Sequence, residues 1–268
     1  MLIVDGQVHI WQDGKPPANH RQTPFGADDL LLEMDQAGVH RAILVPPLWD
    51  PGKNTYSVQS AHRHPDRLAV MGLVDLAKPQ SASELRAWVE QNRLLGIRIS
   101  FNNPTLRARI ASGESDWLWG AAEEAGIPIM LLAPQLCAWM GSIARQHPTL
   151  RLVVDHLAIP RGFKIPAAFD HLPELLALAR YPNLAVKMGG LPNYASAEGF
   201  PYPSLRPYLR SVVDAFGPER CFWASDISRL HGTYRQCVDL LRESHEWLTE
   251  AERNSILGSG LSSWIGWP

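Results

Sequence analysis

Apolar residues along the chain gather into short runs, separated by longer stretches in which apolar positions recur every three to four residues. The runs are LIVDGQVHI (2–10), RAILVPP (41–47), LAVMGLVD (68–75), GIRISF (96–101), IPIMLLAP (127–134), LRLVVDH (150–156), LAVKMGG (184–190) and CFWASDI (221–227). Their apolar residues are consecutive rather than alternating, which is the pattern of strands buried on both faces of a parallel sheet. Between them, ADDLLLEMDQAG and ESDWLWGAAEEAG carry acids near the start and finish on Gly38 and Gly126. The positive end of a helix favours those acids, and a left-handed C-terminal residue favours glycine, so both stretches predict helices. Four strands are entered through proline, in RHPDRLAV, RQHPTLRLVV, RYPNLAVK and FGPERCFW. Proline cannot continue a helix, so each marks a helix-to-strand corner. TEAERNSI, with Glu252 three residues after Thr249, predicts a capping box.

Eight such βα units in 268 residues predict one α/β domain over 1–268, a (β/α)8 (TIM) barrel. A doubly wound open sheet is the alternative, but no glycine-rich phosphate loop follows the first strand. In a barrel of this kind the functional side chains stand at the C-terminal ends of the strands.

Composition narrows the partners. With 25 basic against 27 acidic residues and a net charge of −2, the chain has no basic surplus for nucleic acid and no polybasic tail for a membrane surface. A small-molecule substrate is the expected partner, and self-association is left open. The opening MLIVDGQVHIW has neither the basic start nor the cleavage site of a signal peptide, so the cytoplasm is the expected compartment. Cys137, Cys221 and Cys237 are odd in number and lack C-x-x-C spacing, which predicts buried thiols rather than disulfides or a zinc knuckle.

The strand ends carry the candidate chemistry. Strand one ends in Gln7 and His9, two apart and therefore on one face. Strand four carries Arg98, strand six Asp155 and His156, strand seven Lys187 and strand eight Asp226. Singly, Arg98 or Lys187 would be an ion-paired barrel residue, His9 a satisfied core histidine and Asp155 a structural hydrogen-bonding group. Together, at one end of five otherwise apolar strands, they predict a site, because such groups are costly to desolvate unless paired or used. Past strand eight, SDISRLHGTYRQ adds Arg229, His231 and Tyr234 on a loop facing the expected mouth. Trp11 and Trp49 follow strands one and two and could wall the pocket. GFPYPSLRPYL (199–209) is an extended lid or an interface.

VDGQVHIW, GIRISF, LRLVVDHLAIP, LAVKMGG, RCFWASDISRL and NSILGSGLSSWIGW, in that order from residue 3 to residue 267, resemble the amidohydrolase-related (amidohydrolase 2) family of the amidohydrolase superfamily. The resemblance implies a (β/α)8 barrel with His-x-His on strand one, a histidine on strand five, Asp-His on strand six and an aspartate on strand eight. His9, His156 and Asp226 match. Gln7 stands where the first histidine would be, Ala133 stands at the strand-five histidine, and GSG replaces the family's usual Gly-Asn pair.

A catalytic zinc normally keeps three protein ligands and a water. Gln7 is a poor zinc ligand and Ala133 is none, so the resemblance is closest to the metal-independent lactonases of the family, like 2-pyrone-4,6-dicarboxylate lactonase. The expectation is a hydrolase of a small anionic lactone or related ester, without a cofactor. Asp226 would be the base that activates water. His9 and His156 would polarise the carbonyl or protonate the leaving alkoxide, and Gln7 would donate from its amide. Arg98, Lys187, Arg229 and Tyr234 would hold the substrate. Two alternatives stand beside it: a metal-dependent amidohydrolase or decarboxylase holding one divalent ion such as zinc through His9, His156 and Asp226, and a non-catalytic barrel that serves as a binding module.

Overall fold

In the computed structural model, which describes residues 1–244 and 246–267, eight parallel strands pair in sequence order. They are β1 (Val4–Val8), β2 (Arg41–Leu44), β3 (Leu68–Gly72), β4 (Gly96–Ser100), β5 (Ile129–Leu132), β6 (Leu152–Val154), β7 (Leu184–Gly189) and β8 (Cys221–Ala224). The last strand meets the first where the Asp226 N–H donates to the Gln7 carbonyl at 3.1 Å and the Ser225 N–H to Asp5 Oδ1 at 2.9 Å. The molecule is a single (β/α)8 barrel, as the run pattern predicts.

The strands are buried on both faces because each is sandwiched between barrel interior and helices. Val4, Ile43, Met71, Met130, Val153 and Phe222 point inward at the N-terminal end and pack on Leu261, Ile265 and Trp267 of the C-terminal segment, which plugs that end. Each fully buried aliphatic side chain here contributes about 1.5–3 kcal/mol. A second, larger cluster lies between the strands and the surrounding helices.

Helix ends follow their sequence signals. The helix Ala27–Ala37 stops at Gly38 (φ 76°) and Asp116–Ala125 at Gly126 (φ 71°). The box at Thr249 and Glu252 forms around the start of Glu250–Asn254. Gly258 and Ser259 of the GSG stretch belong to a widened turn, Ser255–Ser259, that docks on the N-terminal segment, and Gly260 opens the helix Gly260–Ile265. A Cβ on Gly258 would lie 2.2 Å from the Leu2 carbonyl oxygen, so only glycine permits that approach. Cys137, Cys221 and Cys237 are buried free thiols. Among the described residues no helix is long and apolar enough to cross a membrane.

Segment 199–209 lines no part of the cavity described below. Tyr202 is buried and donates its hydroxyl hydrogen to the His231 carbonyl at 3.1 Å, and Tyr208 stacks on Phe169 at 4.2 Å.

Candidate active site

At the C-terminal ends of the strands a cavity of about 340 Å³ is lined by Gln7, His9, Arg98, His156, Asp226 and Arg229, among others. Local irregularities aim these side chains. Asp5 pairs with Ala42 but Val8 with Leu44, so three steps of β1 span two of β2. That bulge lets Gln7 and His9 share the cavity face while Gly6 faces the barrel axis. Beyond β6 and β8, His156 (φ 53°) and Asp226 (φ 52°) hold left-handed backbone, a conformation that costs a non-glycine residue on the order of 1–3 kcal/mol and concentrates at functional positions.

The imidazoles are oriented from behind. His9 Nδ1 donates to the Val45 carbonyl at 2.6 Å, and His156 Nδ1 to the Gly189 carbonyl at 3.1 Å. A carbonyl only accepts, so in each neutral ring the hydrogen sits on Nδ1 and Nε2 presents a lone pair; at His156 the donor-only Arg229 Nη2, 3.4 Å from the same Nδ1, is the more distant of its two neighbours. Both lone pairs face the Gln7 amide nitrogen, at 3.4 Å for His9 and 3.2 Å for His156. The two amide hydrogens of Gln7 thus serve two acceptors, and its Oε1 is buried without a partner among the described residues.

Asp226 sits against the same two rings, with Oδ1 at 3.6 Å from His9 Nε2 and Oδ2 at 3.7 Å from His156 Nε2. Its Oδ2 accepts from Arg229 Nε, whereas Oδ1 is buried and has no hydrogen-bond donor among the described residues. Burial raises the carboxyl pKa, but Arg229 and the imidazoles of His156, His9 and His20 outweigh it and hold Asp226 well below the usual carboxylate range. Burial lowers both His9 and His156 to about 4, with Asp226 opposing the shift in each case. Near neutral pH the cavity therefore holds one carboxylate, uncharged imidazoles and the guanidinium groups of Arg98, Arg161 and Arg229.

Beneath this floor lies a second ionic group. Asp155 accepts from Lys187 Nζ at 2.7 Å and from Arg98 Nε at 3.1 Å, with Asp155 and Lys187 fully enclosed. Burial raises the Asp155 pKa, yet the two cations pull it below its ordinary value. Lys187 also reaches the Gly6 carbonyl at 3.3 Å, across space that a Cβ on Gly6 would close to 3.1 Å from Lys187 Cδ.

Six of the eight residues singled out from the sequence therefore share one cavity, and two do not. Lys187 lies under the floor, neutralised by Asp155 rather than exposed to a substrate. Tyr234 lies behind β1, where its hydroxyl donates to Asp5 Oδ2 at 2.7 Å. His231 is absent from the lining as well, whereas Trp49 walls it. Sequence reasoning missed His20, Arg161 and Tyr194, which line the cavity from loops after β1, β6 and β7. Position after a strand end was their only signal, and ordinary loop polarity masks it.

A closed barrel with a carboxylate, imidazoles and guanidinium groups converging at the C-terminal mouth has the architecture of an enzyme that works on small polar molecules. Residues 4–259 match the amidohydrolase family model, and the chain belongs to that family of hydrolases. It is 29% identical over 252 residues to an L-fucono-1,5-lactonase of Burkholderia ambifaria, covering 86% of this chain and 82% of that one. Its fold is similar to a crystal structure of a Burkholderia multivorans amidohydrolase with bound zinc (TM-score 0.84, 21% identity, both chains covered in full). It is also similar to a probable 2-pyrone-4,6-dicarboxylic acid hydrolase of Acinetobacter baumannii with citric acid bound (TM-score 0.73, 15% identity, both chains covered in full).

The zinc of the first structure prompts a test of the donors here. Among the described residues no group of three or more His, Cys, Asp or Glu side chains is arranged to hold a metal ion. Gln7 turns amide hydrogens, not a lone pair, toward both imidazoles, and Ala133 on the loop after β5 offers no donor. Arg229 already neutralises Asp226. These residues do not form a zinc site of the usual three-ligand kind.

Proposed function

We propose that the protein hydrolyses a small lactone or related activated ester carrying a negative charge, with Asp226 as general base and no bound metal. The observation that carries this reading is Asp226 Oδ1, an enclosed carboxylate oxygen that lacks a donor among the described residues and lies 3.6 Å from the lone pair of His9 Nε2. A buried carboxylate oxygen left without a donor suits one hydrogen of a water molecule. Such a water is held with its own lone pair free to attack a carbonyl carbon.

As the water oxygen bonds to the carbonyl carbon, its proton passes to the cluster of Asp226, His9 and His156. The proton affinity there belongs to the coupled group rather than to one side chain. Electrons displaced onto the carbonyl oxygen are stabilised by the guanidinium groups of Arg98 and Arg229, a contribution of the kind worth about 10²–10³ in rate. When the ring C–O bond breaks, the proton returns to the departing alkoxide. His9 and His156, with hydrogens fixed on Nδ1, accept at the cavity face and do not donate there in the neutral form.

A negatively charged substrate is favoured because Arg98, Arg161 and Arg229 line the cavity against the single carboxylate of Asp226. Lactone chemistry is favoured by the likeness to proteins named L-fucono-1,5-lactonase. The test is hydrolysis of L-fucono-1,5-lactone, D-glucono-1,5-lactone and 2-pyrone-4,6-dicarboxylate by the wild type and by Asp226→Asn. At least one lactone is hydrolysed by the wild type, and Asp226→Asn lowers its kcat by about 10²–10⁴ with the fold intact. An Asp226→Asn enzyme with wild-type kcat would rule Asp226 out as the base.

A further inference from the structure

We infer that His20 is a catalytic residue of this site, donating its Nε2–H to the substrate carbonyl oxygen as that oxygen becomes an oxyanion. The inference rests on the lactonase reading above and goes beyond it by supplying the hydrogen-bond donor that His9 and His156 do not.

His9 and His156 spend their N–H groups on the backbone carbonyls of Val45 and Gly189, so both turn lone pairs to the cavity. Gln7 commits its amide nitrogen to those lone pairs. His20 is wired the other way. Its Nδ1 lies 2.9 Å from Ser228 Oγ, and Ser228 is 4% exposed with no other side-chain partner among the described residues. A buried hydroxyl needs an acceptor for its hydrogen, and His20 Nδ1 is the acceptor within reach. Ser228 therefore donates, Nδ1 accepts, and the ring hydrogen sits on Nε2. Among the described residues no protein group engages that Nε2, and the His20 ring lines the cavity.

The ring is held in place. Its centroid is 4.6 Å from that of Trp49 and 5.8 Å from that of His9. The Arg21 N–H donates to the Ser228 carbonyl at 2.5 Å, tying the loop after β1 to the segment that follows Asp226. Trp11 and Phe25 close the base of that loop as an antiparallel bridge. Burial lowers the His20 pKa to about 4, so the ring is uncharged near neutral pH. A neutral imidazole with its hydrogen aimed at a carbonyl stabilises developing negative charge without transferring a proton, so the reaction's proton balance stays with Asp226 and the leaving oxygen.

Three variants test the assignment on the lactone that the wild type hydrolyses best, with a cyclic phosphonate analogue of that lactone as transition-state probe. His20→Phe keeps a ring against Trp49 and removes the donor. We expect kcat to fall about 10²-fold with KM changed less than threefold, and the phosphonate Ki to weaken by the same factor as kcat/KM. His20→Gln restores an N–H and recovers part of the loss. Ser228→Ala frees Nδ1 to carry the hydrogen instead, and lowers kcat in the same direction by a smaller factor. Should His20→Phe fail to fold by circular dichroism, the Ser228→Ala result decides alone. A His20→Phe enzyme within threefold of wild-type kcat, or one whose losses leave phosphonate binding untouched, overturns the inference. If Asp226→Asn is inactive while His20→Phe is not impaired, this inference falls and the lactonase reading stands. If the wild type hydrolyses no lactone, both fall.

Discussion

Replacing Asp155 with asparagine removes one charge and almost no volume, at a point where two cations depend on it. The carboxylate is bonded to Lys187 Nζ at 2.7 Å and to Arg98 Nε at 3.1 Å, with Lys187 fully enclosed and Arg98 only 5% exposed. A neutral amide in its place leaves two buried positive charges with no carboxylate bonded to either. Breaking a buried pair from one side typically costs about 3–5 kcal/mol, a large share of the roughly 5–15 kcal/mol that holds a domain together. The expected fall in melting temperature is on the order of 10 °C. Urea unfolding of the purified variant measures the loss directly. The double variant Asp155→Asn, Lys187→Met places a thioether beside Met130 Sδ, now 3.2 Å from Lys187 Nζ, and removes one of the stranded charges. It should be more stable than Asp155→Asn alone by at least about 1 kcal/mol, the coupling expected of directly contacting groups. A single variant within about 1 kcal/mol of wild type, or a double variant less stable than the single, would refute the charge argument.

Two further outcomes follow from the cavity itself. His9, His20 and His156 are each lowered to about 4 from an ordinary value of 6.5, so between those values the unfolded chain binds protons that the folded chain does not. Stability must therefore fall as pH drops from about 6.5 toward about 4, by up to about 3 kcal/mol for each of the deeply buried His9 and His156 and by less for the better-solvated His20, and urea midpoints at pH 7 and pH 5 should differ accordingly. Equal midpoints would mean that the rings are not held neutral. A Cβ on Gly189 would lie 2.8 Å from His156 Nδ1, so Gly189→Ala must displace the ring. Lactone kcat/KM should drop at least tenfold with little change in melting temperature, and an unchanged kcat/KM would show that the ring position does not matter.

The barrel was legible in the sequence because strands buried on both faces cannot alternate, and runs such as LAVMGLVD have no polar face to mislead. Exact strand ends were not legible. The run 150–156 shrinks to Leu152–Val154 because His156, Leu157 and Ala158 take left-handed backbone, which no propensity at those residues signals. Gln7, His9, Arg98, His156 and Asp226 were legible because an ionisable or amide group at an apolar strand's end has few other reasons to be there, and Arg229 because it follows strand eight on a loop at the expected mouth. Lys187 satisfied the strand-end criterion and Tyr234 the loop one, yet they serve buried carboxylates, Asp155 and Asp5, because which neighbour such a group meets depends on packing rather than on sequence position. His20 escaped notice because its ring is oriented by the Ser228 contact, made across 208 positions of sequence.

The central claim is that Asp226, with Arg229 as its cation, activates water without a metal ion. The most direct measurement is the rate of lactone hydrolysis by protein treated with excess chelator and dialysed, with bound metal counted on the same sample. The account predicts an undiminished kcat in protein carrying far less than one metal ion per chain. Activity that vanishes with the metal and returns on adding one equivalent of zinc would contradict it.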